Sequence, residues 1–205
     1  MNRQEFVQAL VELLITIDRG MLSFETPLPE AVEESVRTAV AGFGDEVLPF
    51  LHATLSHLPS DVDPRSLIDV LGKIENPDSA PYIIEFHRNH SNFLSGLVAL
   101  NVLRKLETEQ GYVYMGELLV AQAHGDQTAF NTEAEIVVAC LSLGEWGNER
   151  TIPFLTEATH IRDIQGMPEA AINALASYPQ AHDFLNNLAV DDPSLKELIN
   201  KAFSR

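Results

Sequence analysis

Histidine is the side chain in this sequence best suited to chemistry near neutral pH, because its imidazole changes charge there. There are seven: His52, His57, His87, His90, His124, His160 and His182. Three positions recur at a fixed offset. Counting seven residues from Pro81, Glu117 and Pro153 reaches Arg88, His124 and His160. Counting four from Pro81 and Pro153 reaches Glu85 and Glu157. Residues three apart on a helix share a side. Stacked helices would therefore carry a ladder of Arg88, His124 and His160 flanked by Glu85 and Glu157. Tyr82, Tyr114, Arg162 and Asn186 fall on the same side. Such a ladder suits a groove that grips a polar or basic peptide. The alternative is a solvated helix face with Glu–Arg and Glu–His pairs, each worth a few tenths of a kcal/mol.

Catalytic and metal motifs are missing. The sequence has no His-Glu dipeptide, no HExxH and no His-x-x-x-His; His87 and His90 are three apart without a matching carboxylate motif. It has no GxGxxG, P-loop or GxSxG signature either. The single cysteine, Cys140, sits in the apolar run EIVVACLSL. This excludes an intramolecular disulfide and a Cys-based zinc site, and it reads as a buried structural thiol. No catalytic, cofactor or metal residue is expected.

The elements that must position the ladder are written twice. LGKIENPDSAPYIIEF begins at Leu71 and LGEWGNERTIPFLTEA at Leu143, an ungapped offset of 72 residues. In the second copy, Ile136, Val137, Cys140, Leu141 and Leu143 give a helix an apolar stripe. Gly147 and Asn148 stop it, and Pro153 sits early in the next helix, whose inward positions are Ile152, Leu155 and Ala158 or Thr159. The first copy starts a helix at Asp63-Pro64, breaks at Asn76-Pro77-Asp78 and restarts with Pro81. A looser copy, AGFGDEVLPFLHATL, turns at Gly44-Asp45 and carries Pro49. Between Pro81 and Pro153 lies a degenerate unit with a break at Gly111, and PEAAINALASYP with QAHDFLNNLAV forms a shortened last one. Trp146 aligns with Ile74, an interior position. The pattern leaves Phe24, Tyr112 and Tyr114 without a predicted place in the packing.

Helix pairs with Leu71-Gly72 and Pro81, and with Leu143-Gly144, Ile152-Pro153 and Leu155, resemble HEAT repeats, above all the HEAT-like repeats of phycobilisome lyases. Ala41-Gly42 with Pro49 is a looser match. The resemblance implies an all-α superhelix of about five helix pairs over residues 28–190, second helices lining the concave face. Residues 1–27 would be a capping helix (3–19) and a loop, Pro27 and Pro29 following the helix, and 191–205 a C-terminal capping helix, in one domain spanning 1–205. Phe6, Leu10, Leu13, Leu14 and Ile17 would dock the first helix. Independently of any family, one helix pair cannot bury its apolar side, so neighbours must stack.

Composition narrows the function. Thirty acidic against thirteen basic residues leave a net charge of −17, spread evenly over both halves. A phosphate-backbone binder needs a basic stripe, so nucleic acid is disfavoured. Anionic membranes are disfavoured on the same ground. A basic protein partner would be steered toward such a field. No signal peptide or membrane span is evident, and the cytoplasm is the expected compartment. The expectation is a non-enzymatic scaffold or adaptor binding a protein through its concave face. The resemblance implies an alternative, a bilin lyase/isomerase subunit or phycobilisome-associated factor acting on a partner's cysteine. Iron-dependent deoxyhypusine hydroxylases also resemble this fold, but they use the His-Glu dipeptides that this chain lacks.

Overall fold

A computed structural model of the chain describes residues 2–23, 30–58, 62, 64–90, 92–126 and 129–204. Phe24, the loop with Pro27 and Pro29, Asp63 and the side chain of His90 lie outside the described residues. Among the described residues there are twelve α-helices and no strand. None of these helices is long and apolar enough to cross a membrane. The chain divides into two compact units, residues 1–111 and 112–205.

The first unit holds α1 (Arg3–Ser23), α2 (Glu30–Ala41), α3 (Leu48–Ser56), α4 (Arg65–Ile74), α5 (Ala80–His90), α6 (Phe93–Leu106) and the first turn of α7 (Glu109–Ala123). Helix α1 starts where a capping box predicts: the Glu5 amide donates to Asn2 Oδ1 and the Asn2 amide to a Glu5 carboxylate oxygen, both at 2.8 Å. It packs on α2, α3 and α4. The expected docking face is rotated, however. Val7, Val11, Leu14 and Ile17 are buried, while Phe6 and Leu13 stay more than 40 % exposed. Both sets keep helical spacing, so the buried side is chosen by the helices α2, α3 and α4 packed against α1.

Beyond α1 the helices alternate between two rows. Helix α4 packs between α2 and α6, α3 packs on α5, and α3–α4 and α5–α6 contacts join the rows. The glycine of the repeated Leu-Gly phrase explains the close approach within one row: a Cβ on Gly72 would lie 2.8 Å from a Val102 methyl of α6. The break after α4 is tight. Glu75 caps it in the left-handed region at φ 58°, Asn76 accepts from the Asp78 amide, and the 3-10 turn Pro77–Ser79 leads into α5. The break after α6 falls at Glu107, also left-handed at φ 50°, rather than at Gly111, which lies inside α7. Glu107 ends α6 two residues before α7 begins, and Thr108 Oγ1 accepts from the Gly111 amide, so the glycine is in the first turn.

The second unit holds the rest of α7, then α8 (Glu133–Trp146), α9 (Ile152–Ala158), α10 (Met167–Ala176), α11 (His182–Asp191) and α12 (Lys196–Phe203). Here α10 packs on α8 and α12, and α9 and α11 both pack against it. A Cβ on Gly144 would lie 2.9 Å from the Ala174 Cβ of α10, the counterpart of the Gly72–Val102 contact. Helix α8 stops at Gly147, in the left-handed region as predicted, and Asn148 caps the following turn by accepting from the Arg150 amide. Its buried face is Ile136, Ala139, Cys140 and Leu143; Leu141 and Val137 were expected there, but Leu141 is 44 % exposed and Val137 half-buried. The spacing of the true face is i, i+3, i+4, i+7. Helix α9 is only seven residues long, so His160 lies in the turn beyond it.

Candidate functional site

The first unit carries an open groove of about 1060 Å³. One wall is α3, from Leu48 to His57; the floor is the turn from Asn76 into α5; the far side is Thr108 and Gln110 at the start of α7. Helix α3 lines the groove along its length, whereas α5 and α7 contribute only their first turns and the residues before them. The prolines Pro49, Pro77 and Pro81 sit early in these helices, where no amide hydrogen is lost from the ladder, and they give the groove rigid edges.

His52 and Tyr82 form the centre. Their rings are stacked, with centroids 3.9 Å apart and an interplanar angle of 11°. His52 Nε2 shares a hydrogen bond of 3.0 Å with the hydroxyl of Ser79, which is wholly buried. His52 is itself buried, and desolvation holds its pKa below the ordinary histidine value, against the opposing pull of the Asp78 carboxylate. The imidazole is therefore neutral at pH 7. Tyr82 keeps 37 % of its surface exposed although His52 covers one ring face. Asp45 and Asp78 stand exposed on the rim, and Asn76 Nδ2 donates to Asp45 Oδ1 at 2.7 Å.

The predicted ladder divides between the two units. Tyr82, Glu85 and Arg88 belong to the first unit, and Glu85 and Arg88 lie on exposed surface of α5 that does not line the groove. Tyr114, His124, Glu157 and His160 belong to the second. One rung forms there: His124 Nε2 lies 3.3 Å from Glu157 Oε2, joining the end of α7 to α9. His160 is exposed. Tyr114 corrects the expectation. It is only 4 % exposed, so it belongs to the core of its unit and cannot line an open groove. In α7 the step from Tyr112 to Tyr114 is too short to return to one helix side, yet both are buried because α7 is buried on more than one side. Tyr112 stacks on Trp146 at 4.3 Å, which makes Trp146 a packing residue as its alignment with Ile74 predicts.

Sequence reasoning placed Tyr82 and named His52 only among the seven histidines. It missed Asp45 and Asp78, which line the same groove as that pair. The signal was present in the turn sequences Gly44-Asp45 and Asn76-Pro77-Asp78, which precede equivalent prolines.

Other reactive groups are shielded or paired. Burial pushes the Cys140 thiol up to about 12. Among the described residues no three His, Cys, Asp or Glu side chains converge on a metal-sized site. On the α2–α4 side, Arg37 lies 3.2 Å from Glu34 and 3.5 Å from Asp69, and Lys73 lies 2.9 Å from Glu34. Comparison of the chain with family models, with curated proteins and with solved structures returns no match.

Proposed function

We propose that the chain is a non-catalytic helical-repeat scaffold of the HEAT type that holds a segment of a protein partner in the groove along α3 and α5. The observation that carries this reading is the groove itself. It is open, about 1060 Å³ in volume, and lined by α3 along its length and by the starts of α5 and α7. Repeat arrays bind extended ligands along such surfaces because each unit contributes an equivalent strip. The repeat assignment draws support from two matched packing pairs, Gly72–Val102 and Gly144–Ala174, each thirty residues apart. It draws further support from matched staples between successive turns: Asn76 to Asp45 in the first unit, and Gln180 to Glu149 at 2.5 Å in the second. The non-catalytic reading draws support from the burial of His52, of the Ser79 hydroxyl and of the Cys140 thiol, which burial also keeps protonated.

A photocrosslinking amino acid at Ala53, exposed in the groove, tests the reading against the same label at Asn101, exposed on α6. In lysate of the source organism the scaffold gives a discrete protein adduct from position 53 and none from position 101. Equal labelling from both positions, or none from 53, would remove the groove as the binding surface.

A further inference from the structure

The groove has a charge pattern that selects its occupant. Fourteen residues line it, among them the carboxylates of Asp45 and Asp78 but no lysine or arginine. Neither carboxylate has a Lys or Arg partner among the described residues, whereas four of the unit's cations pair with other acids. Arg3 pairs with Glu46 at 2.7 Å, Arg37 and Lys73 with Glu34, and Lys105 with Glu75 at 2.8 Å. The stacked pair of His52 and Tyr82 lines the same groove as these acids. His52 backs one face of Tyr82, so the exposed remainder of that ring faces the groove.

We propose that the groove recognises an arginine side chain of the partner, its guanidinium laid on the Tyr82 ring and paired with Asp78 and Asp45. The assignment rests on the scaffold reading above and names the chemistry of its partner. A planar, weakly hydrated cation matches a groove that offers both a flat exposed ring and carboxylates better than a compact ammonium does. A neutral imidazole behind the ring adds no opposing charge, and Thr108 and Gln110 supply polar atoms for a peptide backbone on the far wall. The overall charge of −17 draws a basic segment toward the site at low salt.

The test uses the full chain labelled with ¹⁵N and blocked tripeptides Gly-Arg-Gly, Gly-Lys-Gly and Gly-citrulline-Gly as probes. Citrulline keeps the shape of arginine and lacks its charge. The arginine peptide is expected to shift amide signals of α3 and the Asn76–Tyr82 segment, saturably, at least tenfold more tightly than citrulline and more tightly than lysine. Asp78→Asn and Tyr82→Ala, each checked for a native amide spectrum, should each weaken it at least fivefold. Shifts scattered over the acidic surface, or insensitivity to both variants, would overturn the assignment. Equal binding of arginine and citrulline in the groove would overturn the cation assignment and leave the peptide-binding reading standing. No shift at the groove with any probe would overturn the arginine site; crosslinking from Ala53 then decides the scaffold reading separately.

Discussion

Gly72 in α4 and Val102 in α6 leave no space between them: a Cβ at position 72 would sit 2.8 Å from Val102 Cγ2. Gly144 and Ala174 repeat that relationship at 2.9 Å, again thirty residues apart. The glycine in the twice-written phrase is therefore a packing residue between neighbouring helix pairs, and the contact is backbone against side chain. Replacing either glycine by leucine is expected to cost about 1–3 kcal/mol through overpacking. Gly42, in the looser copy, meets only its own helix at 3.4 Å, and alanine there should be tolerated. Urea unfolding of the three variants checks this, and equal midpoints for all three would refute it.

Glu75, Glu107 and Gly147 close the first helices of three helix pairs, all in the left-handed region. A non-glycine residue there crowds its Cβ against the backbone, at a cost of roughly 1 kcal/mol. Glu107→Gly should stabilise the protein by about 0.5–1 kcal/mol, read from thermal or urea melts. Glu75→Gly should gain less, because it also loses the ion pair with Lys105.

His52 makes stability depend on pH in a defined direction. Its folded pKa lies below the ordinary value of 6.5, so the unfolded chain takes up the proton first. The contribution is complete above about pH 6.5 and is lost progressively as pH falls from there toward the folded pKa. His52→Gln, which keeps a polar group for Ser79, should flatten that part of the stability profile. An unchanged slope between pH 6.5 and 5 would place the dependence on other groups.

Cys140 should resist alkylation in the folded protein at pH 8, since burial both hides the sulfur and pushes its pKa to about 12. Labelling should follow the rate of unfolding as urea is added. Rapid labelling of the native chain would contradict the packing of α8.

The His124–Glu157 contact is largely exposed, with 67 % of the histidine side chain accessible. Surface pairs of this kind contribute little. A double-mutant cycle with His124→Ala and Glu157→Ala is expected to give a coupling below about 0.5 kcal/mol at physiological salt. A coupling above about 1 kcal/mol would mean that the rung holds α7 and α9 together.

The sequence by itself determined the helical class, the helix-turn-helix phrasing and most boundaries. Those features are local: proline early in a helix, Gly147 past its end, and Asn76, Asn148 and Asp192 where turns need a side-chain acceptor. Stripe assignment was less secure, because apolar residues such as Phe6, Leu13, Leu141 and Tyr114 occur on both sides of their helices. Which side is buried depends on the helices packed against it. The site was legible only in part for the same reason. Equivalent repeat positions marked Tyr82, but its stacking on His52, the Ser79 hydrogen bond and the two rim carboxylates join α3 to the turn before α5 across some thirty residues. Only tertiary packing brings those groups together, since the distance between two helices is decided by contacts such as Gly72 with Val102 and by nothing within either helix alone.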